Sequence, residues 1–419
     1  MSADAKAIDA LAERVRKDFP LLARVVEGRP LVFLDNASTT PKPRAVIDAV
    51  SHYYEHCTAN VHRGVHSLGE EATQLYDAAR LEIAGLIGAS PSEIVFLRGT
   101  TEAINLVAHA LSLGPEDEVV FPASEHHANW LPWRVRAKPV VLPIDGDGVP
   151  RWSELESLIT DKTKLISFAH VSNVTGAIAP VDEIVRLAKA RGVPVLLDAA
   201  QSLSHLPIDV AKLGVDFLAG SAHKAFGPSG VGILFARRER LVKFPLYQVG
   251  GGMVSLNEDL VVDHENGPPS VGRFVPRDAP FRYEAGTPAI EATIGFGAAV
   301  RWLRAVGLAT IREHDLALSR YLVRGLEGIS GVRVLAGDVP AHERIALATF
   351  VVDVPAMTQE NVARALSDMF GICVSGGYHC THVLHARAKL SGTVRASPHV
   401  FTTTTELDAL FEGLREIVS

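Results

Sequence analysis

Cysteine is scarce in this sequence. The 419-residue chain carries only Cys57, Cys373 and Cys380, an odd and sparse set that excludes a disulfide framework, fits a reducing compartment and makes any special cysteine a free thiol. Positive charge is not in excess either: 41 Lys and Arg stand against 48 Asp and Glu, a formal net charge of −7, so there is no general basic surface for nucleic acid or anionic lipid. No uninterrupted apolar run reaches the ~18 residues of a membrane span. The first twenty residues, Met1 to Pro20, mix charges with Ala, Ile, Leu and Val at helical spacing and lack the apolar centre of a secretion signal. Internal repeats and low-complexity segments are also missing. A cytoplasmic enzyme with neither nucleic acid nor membrane as partner is the expectation. Two lobes are expected as well, because single cores stop growing near roughly 250–300 residues.

What is present is an alternation of short apolar strands and helical patterns. Ala5 to Asp18 reads as an amphipathic arm, and Leu31 to Asp35 as a strand entering a polar turn, Asn36 to Pro41, that can face a ligand; helices follow from Arg44 to Glu55 and from Ser67 to Leu86, the latter with Ala72, Leu75, Ala79, Leu81 and Ile83 inward. Strands at Ile94–Leu97, Glu118–Phe121, Lys164–Phe168 and Val193–Asp198 alternate with helices at Thr101–His109, from His126, at Val181–Arg191 and at Ala199–Leu203. That pattern predicts an α/β fold with a mostly parallel, doubly wound sheet. Ligands of such sheets bind beyond the carboxyl ends of the strands. A less regular stretch, Pro245 to Tyr283, contains the Pro/Gly-rich excursion Gly267 to Gly272. Past Gly307, helices at Thr310–Leu326, Gln359–Met369 and Thr405–Val418 and strands near Val332–Leu335, Ala346–Val352 and Ile372–Val374 form a smaller α/β unit. The expected organisation is an arm over residues 1–30 packing on the small domain, a large domain over 31–306 and a small C-terminal domain over 307–419.

Chemistry-bearing residues fall at the ends of the predicted strands. Lys224 lies in Ser221-Ala222-His223-Lys224, in a tight turn between two apolar strands; a partly buried lysine of lowered pKa suits a Schiff base with a carbonyl cofactor. Asp198 ends an apolar strand, where a positive partner such as a protonated pyridine nitrogen explains a carboxylate better than a surface role, although a helix N-cap is the alternative. Gln201 and His126 can contact and stack on a ring, or be polar groups satisfied at strand ends. Thr100 and Thr101 at a helix N-terminus are natural phosphate donors, or a helix cap, and Ser221 and His223 can complete the cup. Together these are the parts that pyridoxal 5′-phosphate chemistry requires.

The motifs Gly99-Thr100-Thr101-Glu102-Ala103, Glu125-His126-His127-Ala128-Asn129, His170-Val171-Ser172-Asn173, Asp198-Ala199-Ala200-Gln201, Ser221-Ala222-His223-Lys224, Glu284-Ala285-Gly286-Thr287-Pro288 and Arg395-Ala396-Ser397 resemble, in order, those of group II cysteine desulfurases, in the class V aminotransferase family of fold-type I pyridoxal phosphate enzymes. The resemblance implies that Lys224 is the Schiff-base lysine, Asp198 the ring-nitrogen partner, His126 the stacking ring and Gln201 the contact to the ring hydroxyl. It implies phosphate contacts from Thr101, Ser221 and His223, with Thr287 reaching the phosphate of the other subunit in a homodimer. Asn173 and Arg395 would bind the substrate carboxylate, with His62 and Arg63 near the cleft mouth. The reaction implied converts L-cysteine to L-alanine with a persulfide on Cys380, serving sulfur mobilisation such as iron–sulfur cluster assembly, with a sulfur-acceptor protein as a possible partner.

The cysteine loop departs from the family pattern: Ser375 replaces an arginine and Tyr378 a histidine in Val374-Ser375-Gly376-Gly377-Tyr378-His379-Cys380. Gly376 and Gly377 are expected to make this loop mobile, His379 and His382 to favour the thiolate, and Cys373 to be core. The alternative that keeps the cofactor is a C–S or selenocysteine lyase, an epimerase or an aminotransferase in which Cys380 is dispensable. A zinc site in His379-Cys380-Thr381-His382-Val383-Leu384-His385, or at His62 and His66, lacks a paired Cys hook or the glutamate such sites use, and no metal is expected.

Overall fold

The computed structural model describes residues 3–26, 28–255 and 274–419; the Gly267 to Gly272 excursion lies outside them. Its centre is a seven-stranded sheet of β1 (Ile94–Leu97), β2 (Glu118–Pro122), β3 (Lys138–Leu142), β4 (Thr163–Ala169), β5 (Val195–Asp198), β6 (Phe217–Ser221) and β7 (Gly232–Ala236), in spatial order β1-β7-β6-β5-β4-β2-β3. β7 runs antiparallel to both its neighbours and every other pair is parallel. Both faces are covered, as the uninterrupted apolar character of the strands requires. Successive side chains alternate between two cores: Val95, Phe121, Leu196 and Leu234 pack with the helix Thr100–Ala110, whereas Phe96, Phe168, Leu197 and Phe235 pack with Ser67–Leu86 and Ile290–Val306. Each such fully buried side chain is worth about 1.5–3 kcal/mol of transfer free energy.

The carboxyl ends of β1, β2, β4, β5 and β6 share one edge, and the turn from β6 to β7 returns there. Gly232 opens β7 opposite both Leu97 and Ser221; a Cβ there would sit 2.4 Å from the Cα of Gly99, so only glycine lets β1 and the loop after it come this close to the lysine turn.

A second core is built on β8 (Val332–Val334), β9 (Ala348–Val352), β10 (Ser375–Gly377) and β11 (Thr393–Ala396), in order β8-β9-β11-β10 and antiparallel throughout. The helix Ala3–Arg16 lies against Leu308–Glu327 and Thr404–Val418, tied by Arg320 to Asp4 and by Arg16 to Glu406. Val32–Phe33 pairs in parallel with Ile372–Cys373, and Val32 and Leu34 are buried in this second core. The segment read as the first strand of the large domain is thus part of the C-terminal unit. Two other expectations fail on local grounds. Ala199–Leu203 forms hydrogen-bonded turns and no helix, because Asp198 Oδ1 accepts from Ala200 N–H and turns the chain at once. Leu81 is 61% exposed: the face of Ser67–Leu86 that packs is set by Ala72, Tyr76, Ala79 and Ile83, and Leu81 lies off it. No single described helix is long and apolar enough to cross a membrane.

Candidate active site

A cavity of about 460 Å³ opens at the shared strand edge, and Thr100, Thr101, His126, Asn173, Asp198, Gln201, Ser221, His223, Lys224, Cys380 and Arg395 all line it. Lys224 ends the short turn Ala222–Lys224 after β6. Burial lowers its pKa to about 8, with the Arg395 guanidinium acting in the same direction and Asp198, Cys380 and Asp35 opposing. About a tenth of the amine is then unprotonated at pH 7, far more than at the usual lysine value, and that form is the nucleophile a carbonyl needs. Asp198, 6% exposed, has its carboxyl pKa raised by burial, while Ala200 N–H and Lys224 pull it back. A buried carboxyl so placed would be stabilised as its anion by a protonated ring nitrogen. Gln201 donates to the Ala37 carbonyl at 2.9 Å, which fixes its side chain beside the cavity. Burial takes His126 and His223 down to about 4, with Lys224 adding to the effect in each, so both rings are neutral. A flat neutral imidazole at His126 can stack on an aromatic ring.

At the amino end of Thr100–Ala110, Ser221 Oγ accepts from Thr100 N–H at 2.8 Å and lies 2.8 Å from Thr100 Oγ1. Thr101 is exposed on the same first turn. The first amide groups of a helix have no intrahelical acceptor, so hydroxyls and amides converging here form a cup for an anion. The residues present fit pyridoxal phosphate: an amine of lowered pKa, a buried carboxylate, a neutral ring and an anion cup bound one cavity.

One wall of the cavity is held from the C-terminal unit. Arg395, on β11, donates to the Asn173 carbonyl at 3.0 Å and to Ser38 Oγ at 2.8 Å, and lies 3.4 Å from Asp35. Its Nε is buried without a partner. Thr349 and Arg344 donate to the next two carbonyls, those of Val174 and Thr175. Three consecutive peptide oxygens of the Asn173 loop are thereby held by side chains of the other lobe. Asp35 and Ser38 were not singled out in the sequence beyond their place in or beside a polar turn, which was the only signal available.

The cysteine segment differs most from expectation. Ser375–Gly377 is a strand, and a Cβ at Gly376 would lie 2.9 Å from the Cα of Glu360; that glycine permits close packing of Gln359–Phe370 on β10 and does not loosen a loop. The turn itself is fastened: Asn173 donates to the His379 carbonyl, His127 N–H to the Cys380 carbonyl and Thr381 N–H to that of Tyr378. His379 and Cys380 both have positive φ, +48° and +57°. Nor can His379 favour a thiolate by charge, because burial, with Arg395 and His385 adding, takes it down to about 2, and its Nε2 lies 3.0 Å from Thr393 Oγ1. The cations that feel Cys380 are Lys224 and Arg395. Tyr378 stacks on His382, and His382 on His127, at 4.6 and 5.0 Å between ring centres. His379 and His385 both approach Thr393 Oγ1, and their other ring nitrogens lie near Ser375 and Thr381, so these two rings are taken up by local hydrogen bonds. Among the described residues the grouping with metal-ligand spacing is instead His52, Cys57 and Glu71. Cys373 is half-buried.

Four expected residues lie elsewhere in the chain. Thr287 is exposed beside Arg98, Gly230 and Gln248. His62 and Arg63 line a separate cavity with Arg277 and Glu284, where His62 Nε2 is 3.5 Å from Asp77. His170 is not among the residues lining the main cavity, and its Nδ1 is buried and unpartnered.

Residues 32–410 match the family described as aminotransferase class-V. This chain belongs to that family. It is 39% identical to a probable cysteine desulfurase of Synechocystis sp. over 421 residues, 98% of this chain and 96% of that protein, and 39% identical to a probable cysteine desulfurase of Streptomyces coelicolor over 97% and 96%. Among solved structures, a cysteine desulfurase from Thermococcus onnurineus in its apo form superposes with a TM-score of 0.87 at 35% identity, covering 97% of this chain and 98% of that one. The cysteine desulfurase CsdA from Escherichia coli, as its S-sulfonic acid, gives 0.84 at 31%, covering 97% and 98%. The class-V fold so defined is the mostly parallel α/β architecture described above.

Buried neutral histidines of this class-V chain carry a pH prediction. Burial takes His126, His170, His223 and His314 to about 4 and His379 to about 2. In the unfolded chain they take up protons near 6.5, so below that pH the unfolded state binds more protons and stability, fully present above pH 6.5, is lost as pH falls towards 4. Glu125, its buried carboxyl raised to about 8, and Asp198, also raised by burial, work oppositely but are outnumbered by the five rings. The urea midpoint at pH 5 should fall below that at pH 7.5. A higher midpoint at pH 5 would show that these rings are charged and paired in the folded protein.

Proposed function

We propose that the chain is a pyridoxal phosphate-dependent cysteine desulfurase that takes L-cysteine to L-alanine and leaves the sulfur as a persulfide on Cys380. The observation that carries this reading is the convergence of Lys224, Arg395 and Cys380 on one cavity. In this reading Lys224 holds the cofactor, with Asp198, His126 and Gln201 on its ring and Thr100, Thr101, Ser221 and His223 at its phosphate. Bound there, the cofactor supplies an electron sink for charge developing at the substrate α-carbon.

The protein's own groups do the rest. Arg395 and Asn173 orient the substrate carboxylate, and Lys224 Nζ, once free, moves the α-proton. Cys380 Sγ forms an S–S bond to the substrate sulfur as the C–S bond breaks; the bonding pair stays with carbon, which takes a proton in place of sulfur, and no external oxidant is consumed. Feeding the purified protein a panel of amino acids while reading sulfide, alanine and keto acid tests the reading. Alanine and protein-bound persulfide formed together from cysteine support it, whereas keto acid, or sulfide without alanine, refutes it.

Arg395→Ala should raise KM for cysteine by about 100-fold while the cofactor stays bound, because a guanidinium held in place can grip a carboxylate through two parallel hydrogen bonds. Unchanged kinetics would place the carboxylate elsewhere. Thr287, exposed and remote from the cavity of its own chain, fits a role in the phosphate cup of a second copy, and His62 and Arg63 a place at that copy's cleft mouth. Sedimentation should therefore give twice the 45.0 kDa chain mass, and an active, cofactor-loaded monomer would rule this out. Delivery of the persulfide to an acceptor protein, iron–sulfur cluster assembly as its use and a cytoplasmic location belong to the same reading.

A further inference from the structure

The Lys224 amine faces the cavity, while its carbonyl oxygen is gripped from within the protein. That carbonyl accepts a hydrogen bond from Ser204 Oγ at 3.0 Å, and Ser204 Oγ is 3.2 Å from His399 Nε2. On the other side of the imidazole, His399 Nδ1 accepts from Val400 N–H at 2.8 Å. A backbone amide can only donate, so Nδ1 carries no proton and the ring proton is at Nε2. Direction then propagates: Nε2–H donates to Ser204 Oγ, which leaves the serine proton for the Lys224 carbonyl. Both side chains are shielded, at 2% and 1% exposure, and solvent does not compete for these bonds.

The ring of His399 is also fixed in the plane. It stacks on His205 at 4.1 Å and meets Phe226 edge-on at 4.6 Å. Phe226, two residues past Lys224, has φ of +61° and packs on Phe19 and Trp302. The preceding carbonyl, that of His223, is held from the opposite side by Thr39, Thr40 and Lys42.

We propose that Ser204 and His399 are positioning residues for Lys224, forming a one-directional hydrogen-bond chain that fixes the lysine main chain and so sets where the amine can reach. The inference rests on the reading that Lys224 carries the cofactor. Neither residue touches the cavity, and His399 comes from the segment after β11, so the chain joins the lysine turn to the same lobe that supplies Arg395.

The test uses Ser204→Ala and His399→Leu, which each remove a link, beside Ser204→Thr, which keeps the hydroxyl, and His399→Gln, which keeps a donor near the Nε2 position. Pyridoxal phosphate is added to cofactor-free protein, and the rate of forming a borohydride-reducible link at Lys224 is followed by mass. That rate should fall about ten-fold in Ser204→Ala and in His399→Leu and recover in Ser204→Thr and His399→Gln. Amide hydrogen exchange over residues 220–227 should quicken in the first two variants alone. The double variant should be no slower than either single one, because the links act in series. If His399→Leu does not fold, the Ser204 pair carries the comparison. Parental link formation and exchange in Ser204→Ala, or additive losses in the double variant, overturn the proposal while leaving the cofactor reading intact. A parental protein that forms no reducible link at Lys224 overturns both.

Discussion

Lys224→Ala protein is expected to retain no borohydride-reducible cofactor and to lose turnover by about 10⁴-fold or more, since one group is asked both to hold the cofactor covalently and to move the substrate proton. Its environment supports each task. Burial and the neighbouring guanidinium of Arg395 bring the amine to about 8, so near neutral pH it is available both as a nucleophile and as a base. A second lysine cannot stand in. Lys42 is also brought to about 8 by burial, but its ammonium is engaged with the carbonyls of Thr40 and His223 behind the turn. Retained activity together with a reducible link in Lys224→Ala would mean that another amine carries the cofactor.

Cys380→Ala should abolish persulfide formation and lower sulfur release from cysteine at least about 100-fold, with the absorbance of the bound cofactor unchanged. The thiol is exposed and makes no side-chain hydrogen bond among the described residues, so stability should move by no more than about 0.5 kcal/mol. A loss of activity can then be read as chemistry and not as unfolding. The cationic neighbours of the thiol are Lys224 and Arg395, which face the same cavity. Sulfur release at the parental rate from Cys380→Ala would replace the desulfurase mechanism with the C–S lyase or aminotransferase reading.

The large sheet and most of the cavity could be read from the chain because its strands are short, mainly apolar runs, with polar residues at or within a few positions of the ends of β1, β2, β4, β5 and β6, and parallel strands put those ends on one edge. Lys224, Asp198, His126 and Thr100 are found by that rule alone. It misleads at His170, which also follows a strand but does not line the cavity. Ser375–Gly377 reads as a loop because nothing local reveals that a glycine is there to admit a helix; that reason is a contact with Glu360. Val32–Phe33 was assigned to the wrong lobe since its partner, Ile372–Cys373, lies some 340 positions later and periodicity carries no information about pairing. Thr287, His62 and Arg63 are legible as residues, but no single chain can show what they serve if their partner is a second copy. Ser204 and His399 are not legible in the sequence: a serine and a histidine near turns carry no pattern, and only the tautomer forced by Val400 gives them meaning.

The placement of β7 bears on the order in which the protein acquires its shape during synthesis. Among the described residues β1 is an edge strand whose sole neighbour in the sheet is β7, so Ile94–Leu97 emerges from the ribosome long before residues 232–236 exist to receive it. The anion cup after β1 cannot be completed until then, and Arg395 and His399 arrive later still. With domains emerging at roughly 5–20 residues per second, the chain spends many seconds with its amine-bearing turn made and its closing lobe absent. Completion of the cavity is thereby a late event of biogenesis, and β1 stands without its partner strand until residues 232–236 have emerged.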